Sequence, residues 1–395
     1  MVIPEWIWFV FVFAFGCCVG SFLNVVIYRL PRDKSLITPP SACPACGEHI
    51  RFYDNIPLVS WLLLGRKCRH CKAAISPRYF AVEALTGSVF LGLFILYFHT
   101  NLREGAQSFV GGGWFIYLLH ITMLAAFIAA SAIDLEYWVI PLSICWFVTA
   151  VGLLGSAVGV YVIDYALIRA YRLLPIASAD TGALAVGAVI GLGISWVLLI
   201  TGLVKRSYEP EDRGQRTEDR GQRTEDRGQK TEDGSEQKFN HRLESCKETI
   251  FLLPIIICSV AVFWIMRQTV PMEMRNGFAT QHPAIAGLLG SLWGYFVGGG
   301  IVWGIRIVGT LAFGKEAMGL GDVHLMGAAG AVIGPLFVVV AFFVAPFFGL
   351  AWAGFQMFFK KIRQIPYGPF LSLGILVVMI LHDWIRDYIS FMFWR

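Results

Sequence analysis

The chain has 395 residues, 56% of them hydrophobic and only 15% charged, with a mean hydropathy of +0.64. Apolar runs of about 20 residues recur, long enough to cross a bilayer as helices. That excludes a soluble globular enzyme and leaves an all-α polytopic membrane protein, because helices satisfy their own backbone groups in lipid. The net charge of +5 makes no case for nucleic acid, since the basic residues fall in a few loops, a pattern that reports topology.

The first span is expected over 3–27, an anchor covering 1–28. It has no basic residues before it; Glu5 lies near its start, and Arg29, Arg32 and Lys34 follow. It therefore reads as an anchor with its N-terminus outside, not as a cleaved signal peptide. The stretch Arg29–Arg78 carries nine Lys and Arg residues and belongs in the cytoplasm by the positive-inside rule.

Within it, a module over 29–79 holds Cys43-Pro44-Ala45-Cys46 and Cys68-Arg69-His70-Cys71. Each C-x2-C pair can set two thiolates on one tetrahedral ion, so the four cysteines predict a structural zinc site. Disulfides compete with this reading, but a cytoplasmic place disfavours them. His49 and His70 are spare donors or ordinary surface residues. A soluble piece this short has little core of its own, which makes a metal staple sensible. Cys17, Cys18, Cys145 and Cys258 sit in apolar spans as small core residues.

Further spans are expected near 80–98, 114–133, 142–163, 182–204, 250–266, 285–311, 336–358 and 368–385, with a short helix at 324–334. The count is about eight to ten. Residues 80–204 form one group of membrane helices and 249–395 a second. Between them, 205–248 reads as a disordered cytoplasmic insert. It contains Glu-Asp-Arg-Gly-Gln-Arg-Thr from Glu211, repeated, then Glu-Asp-Arg-Gly-Gln-Lys-Thr, ending Glu232-Asp233-Gly234. The period is seven, but no apolar residue occupies any position, so it is not a coiled coil; mixed charge without hydrophobes reads as a solvated linker. The basic cluster Lys360-Lys361-Ile362-Arg363 is expected in the cytoplasm.

Two aspartates end apolar spans on the same, cytoplasmic side. Asp134 lies in Ala132-Ile133-Asp134-Leu135-Glu136-Tyr137-Trp138-Val139-Ile140-Pro141, and Asp322 closes Gly319-Leu320-Gly321-Asp322. An ionisable residue at membrane depth is a functional candidate by default. Two such carboxyls are what an aspartyl protease needs: they share one proton, and one activates water while the other polarises the carbonyl. Gly319 and Gly321 would let backbone or substrate come close. The plain alternative is two helix-end charges reaching water. A proton-coupled transporter is a further rival, although no inverted repeat supports it.

Several stretches together resemble the prepilin leader peptidases, the type IV prepilin peptidase and N-methyltransferase family. They are Gly20-Ser21-Phe22-Leu23-Asn24 through Pro31, Asn55-Ile56-Pro57-Leu58-Val59-Ser60-Trp61 between the cysteine pairs, Ile75-Ser76-Pro77-Arg78 through Gly87, the Asp134 segment, and Gly314 through Asp322, continuing to Gly327, Gly330 and Gly334. The resemblance spans 16–163 and about 283–380. It implies a membrane aspartyl endopeptidase whose catalytic carboxyls are Asp134 and Asp322. Such an enzyme removes the short basic leader of type IV pilin or type II secretion pseudopilin precursors just after a glycine, at the cytoplasmic face of the bacterial inner membrane. It also implies methylation of the new N-terminal amine with S-adenosylmethionine, an activity that rests on the resemblance alone; a leader peptidase without methylation is the nearer alternative. Asn24, Glu83, Glu136, Glu316 and His324 are candidate contacts for substrate or cofactor. Three departures stand out: Glu136 where the family has a second Asp, Leu142 after Ile140-Pro141 where it often has Asp, and His324 where it commonly has Lys. The family also has two spans between its aspartates, and here four are expected. Gly298-Gly299-Gly300 reads as close helix packing.

Overall fold

The computed structural model describes residues 4–100, 102–204, 207, 241–359 and 366–393. The repeat from Glu211 and the cluster Lys360–Arg363 lie outside these residues. Among the described residues there are helices and two isolated β-bridges. The helices are α1 (Glu5–Arg29), α2 (Val59–Leu63), α3 (Pro77–Phe98), α4 (Trp114–Tyr137), α5 (Leu142–Val162), α6 (Tyr165–Tyr171), α7 (Ala179–Ile200), α8 (His241–Thr269), α9 (Met272–Gln281), α10 (Pro283–Phe313), α11 (Leu320–Ile333), α12 (Pro335–Phe359), α13 (Gly368–Ile380) and α14 (His382–Phe393).

Among the described residues, eight helices are long and apolar enough to cross a membrane, or nine if α13 and α14 count as one broken span. The chain is a multi-pass membrane protein, and four such helices, α5, α7, α8 and α10, lie between Asp134 and Asp322. Three details differ from the hydropathy reading. A π turn at Phe109–Gly113 lengthens the third span upstream. Helix α8 is described from His241, inside the segment expected as polar insert, so its first two described turns are polar. The last span breaks at Leu381, with a bend of 74°. The reason is local: Asp383, Arg386 and Asp387 follow at once, and lipid does not accept them. Arg386 instead pairs with Glu104 at 2.7 Å, and the Asp383 carboxylate accepts the Glu104 N–H at 2.6 Å. The turn of charge thus ties α14 to the loop before α4.

Small residues bring the helices together, as expected where lipid supplies no hydrophobic drive. Gly294 and Gly298 on α10 lie against the Gly330 and Met326 carbonyls of α11, where a side chain would find no room, whereas Gly300 faces open space. Helices α7 and α8 pair through Gly187 and Gly191, and through two serine hydroxyls that donate to opposing carbonyls: Ser195 to Phe251 and Ser259 to Leu184, each at 2.7 Å. One apolar core runs through α1, α3, α4, α5, α11, α12 and α13.

Candidate functional site

Asp134 occupies the last turn of α4, which stops where Trp138 turns left-handed (φ 59°) and its N–H caps the Asp134 carbonyl. The chain then runs through Ile140-Pro141 into α5. Asp322 stands in the first turn of α11, where its carboxylate accepts the Gly319 N–H at 3.3 Å. That bond satisfies one of the donors a helix start leaves open. Both aspartates are buried, at 6% and 7% exposed.

Two glycines and one isoleucine join these segments. The Gly368 N–H, at the start of α13, donates to Asp134 Oδ2 at 3.0 Å. A side chain at Gly368 would lie 2.7 Å from that oxygen and 3.1 Å from Ile140. A side chain at Gly321 would lie 2.9 Å from Ile140 Cβ. Ile140 is therefore wedged between the turn that carries Asp322 and the helix start that holds Asp134. Asp322 is within electrostatic reach of Asp134, Arg306, Tyr367 and Cys145. Two buried carboxyls thus stand at the ends of two helices that meet across Ile140.

The other sequence candidates divide between two neighbourhoods and a third position. Asn24 and Glu83 are buried where α1 and α3 meet the cysteine module. Asn24 Nδ2 donates to the Tyr79 carbonyl at 3.0 Å, while its Oδ1 is buried without a partner. Glu83 accepts the Leu58 N–H at 2.8 Å and so anchors the module to α3. Glu136 pairs with Arg78 at the module's exit, which links the module to the end of α4 beside Asp134. Glu316 pairs with Arg306 at 2.5 Å. His324 meets Tyr295 through Nδ1 at 3.2 Å and lies beside the Trp146 ring. Two residues on from Asp322, it stands on the opposite side of α11, between α5 and α10.

The four cysteines converge. Their sulfurs all lie within 4.8 Å of one another, and Cys43 Sγ is 3.8 Å from Cys71 Sγ. A tetrahedral ion with metal–sulfur bonds near 2.3 Å sets its sulfurs ~3.8 Å apart, so the four thiols fit one metal ion. Each pair sits on a tight turn closed by backbone bonds: Cys43 N–H to Glu48 and Gly47 N–H to Cys43 in the first, Cys68 N–H to Ala73 and Lys72 N–H to Cys68 in the second. The cluster contains the cysteines and neither His49 nor His70.

Three participants escaped the sequence reading. The Gly368 N–H has no side chain to announce it, although Gly368-Pro369 opening an apolar run marks a helix start with free donors. Tyr367 gave no signal. Arg306 did: a lone guanidinium inside an apolar span.

Two family models match the chain: the Bacterial Peptidase A24 N-terminal domain over residues 14–97 and the Type IV leader peptidase family over 249–354, which begins inside α8. Asp134 lies outside both ranges, and Asp322 inside the second. The chain is similar to a prepilin leader peptidase/N-methyltransferase of Myxococcus xanthus, 45% identical over 135 residues, 34% of this chain and 36% of that protein. It is similar to one of Pseudomonas aeruginosa, 34% identical over 173 residues, 37% of this chain and 53% of that protein. It is also similar to one of Aeromonas hydrophila, 30% identical over 249 residues, 50% of this chain and 79% of that protein. The matches to the first two relatives cover about a third and a half of their own lengths. No solved structure matches.

Proposed function

The chain belongs to the type IV leader peptidase family, and from that membership we propose that it is a membrane aspartyl endopeptidase acting on type IV pilin or pseudopilin precursors. The observation that carries the reading is the approach of the buried Asp134 and Asp322 carboxyls across Ile140. One carboxylate takes a proton from water as the oxygen attacks the carbonyl carbon of the leader's terminal glycine. The protonated partner donates to the carbonyl oxygen. The tetrahedral intermediate then breaks its C–N bond, and the proton taken from water passes to the leaving amine. The two groups titrate as a pair, so the roles belong to the dyad and not to either residue. The Gly368 N–H holds one oxygen of Asp134 in place, leaving the other for the proton it shares or gives.

The reading places the dyad at the cytoplasmic face of a bacterial inner membrane. It also takes the metal of the cysteine module as structural zinc, with Cys43, Cys46, Cys68 and Cys71 as a closed ligand set. Methylation of the new N-terminus is part of the proposal, and S-adenosylmethionine would supply the methyl group. The orphaned Asn24 Oδ1 and the nearby Glu83 carboxylate are acceptors this chain offers to an amino group beside the module. Mass spectrometry of a prepilin matured in cells with this chain as the sole peptidase tests both halves. A cut after glycine with an added methyl is expected. An uncut precursor contradicts the whole reading, and a cut but unmethylated product contradicts the second half.

A further inference from the structure

Arg306 is 1% exposed within the apolar helix α10, and its partners come from two other segments, α8 and the stretch between α10 and α11. Its Nε and Nη2 donate to the Glu248 carboxylate of α8 at 3.0–3.2 Å. Its Nη1 donates to Glu316 at 2.5 Å and to the carbonyl of Met318. Glu248 is itself 4% exposed and takes a further bond from Trp303 Nε1 at 3.0 Å. Met318 immediately precedes Gly319, whose N–H donates to Asp322. A continuous set of hydrogen bonds therefore runs from α8, through Arg306, to the turn that presents Asp322.

The two carboxylates do unequal work. The Glu316 side chain is 45% exposed, so water competes for it and its pairing is weak. Glu248 is walled off from water. It neutralises Arg306 where an unpaired guanidinium would be costly, and its two-pronged contact fixes the plane of the guanidinium. With Nε and Nη2 held, Nη1 can point only where the Met318 carbonyl lies. Thr310 ties down the same turn by accepting the Ala317 N–H at 3.2 Å. Glu248 stands in the third turn of a helix whose first described residue, His241, follows the repeat-bearing segment.

We infer that Glu248 is a positioning residue for the Asp322 carboxyl. Through Arg306 and the Met318 carbonyl it sets the Gly319–Asp322 turn, so the α7–α8 hairpin forms part of the working site. The inference rests on the reading of Asp322 as one of the two catalytic carboxyls.

Glu248→Gln keeps the shape and removes the charge. Purified from detergent as a monodisperse protein, it should cleave a prepilin with kcat lowered by about tenfold or more and KM within about twofold, the signature of lost transition-state geometry at intact binding. Trp303→Phe removes one bond to Glu248 and leaves the pair with Arg306, and its kcat should stay within about threefold of wild type. Arg306→Lys keeps the charge but cannot hold Glu248 and Met318 together, and its kcat should fall like that of Glu248→Gln. A monodisperse Glu248→Gln with wild-type kcat, or with KM alone changed, overturns the inference. If Glu248→Gln does not fold, wild-type kcat in Arg306→Lys overturns it instead. Wild type and Asp322→Asn run alongside. A wild type that cuts nothing defeats the peptidase reading itself. A wild type that cuts, an Asp322→Asn that does not, and a Glu248→Gln as fast as wild type defeat this inference alone.

Discussion

The N–H of Gly368 donates to the Asp134 carboxylate at 3.0 Å, and there is no space between them for a side chain. Gly368→Ala would place its Cβ 2.7 Å from Asp134 Oδ2, well inside contact distance, so α13 or α4 must shift. Cleavage should fall at least about tenfold while the protein still inserts, since a displacement of the dyad near 1 Å can cost as much as a hundredfold. Single-turnover cleavage by the purified variant measures it.

The two glycines before Asp322 should not behave alike. A Cβ at Gly321 meets Ile140 Cβ at 2.9 Å, whereas one at Gly319 meets the Asp322 carboxylate at 3.5 Å and the Gly321 nitrogen at 3.9 Å, both ordinary contacts. Gly321→Ala should lose most activity. Gly319→Ala should keep cleavage within about threefold and lose no more than ~1 kcal/mol of stability through poorer capping. Equal loss in both would mean that the close approach of Ile140 does not govern the turn.

Most of this was legible in the sequence because the membrane makes hydropathy a strong signal. The spans, the paired cysteines and the two aspartates all announce themselves by residue type. What stayed hidden has no such mark. The donor to Asp134 is a backbone N–H. The direction of His324 follows from helix phase relative to neighbours that only the packing defines. The break at Leu381 was foreshadowed by Asp383, Arg386 and Asp387, charges a continuing span could not hold. Arg306 is legible as a lone guanidinium in an apolar span, whereas its partner Glu248 lies in a stretch whose composition marks a polar insert.

Glu136 meets Arg78 with both side chains about a third exposed, at 38% and 31%. A pair this open to water is worth ~0–1 kcal/mol. Glu136→Gln should therefore leave thermal stability in detergent nearly unchanged and cleavage within a few-fold. A loss as large as that of a dyad variant would make Glu136 a third working carboxyl.

The cysteine module should hold about one zinc per chain through four thiolates. Cys43→Ser should lower the zinc content and make the segment between the cysteine pairs sensitive to protease, because the module has little other core. Methylation should suffer more than cleavage, since the module packs on Asn24 and Glu83 and meets the end of α4 through surface contacts, Arg78 with Glu136 and Arg32 over the Tyr137 ring. Metal analysis with mass spectrometry of the product checks all three.

Deleting Glu211–Asp233 should leave cleavage intact. The repeat carries no apolar residue with which to pack, and α8 with its Glu248 remains in the chain. Loss of activity at normal expression would assign the repeat a docking role.

The most direct measurement is cleavage of a purified prepilin by Asp134→Asn and by Asp322→Asn, each compared with wild type at equal, monodisperse concentration. One carboxyl cannot both take a proton from water and donate one to the carbonyl, so each variant should retain less than about 1% of the wild-type rate, a loss of at least ~2.7 kcal/mol in transition-state stabilisation. Either variant cutting at a rate near that of wild type would contradict the dyad.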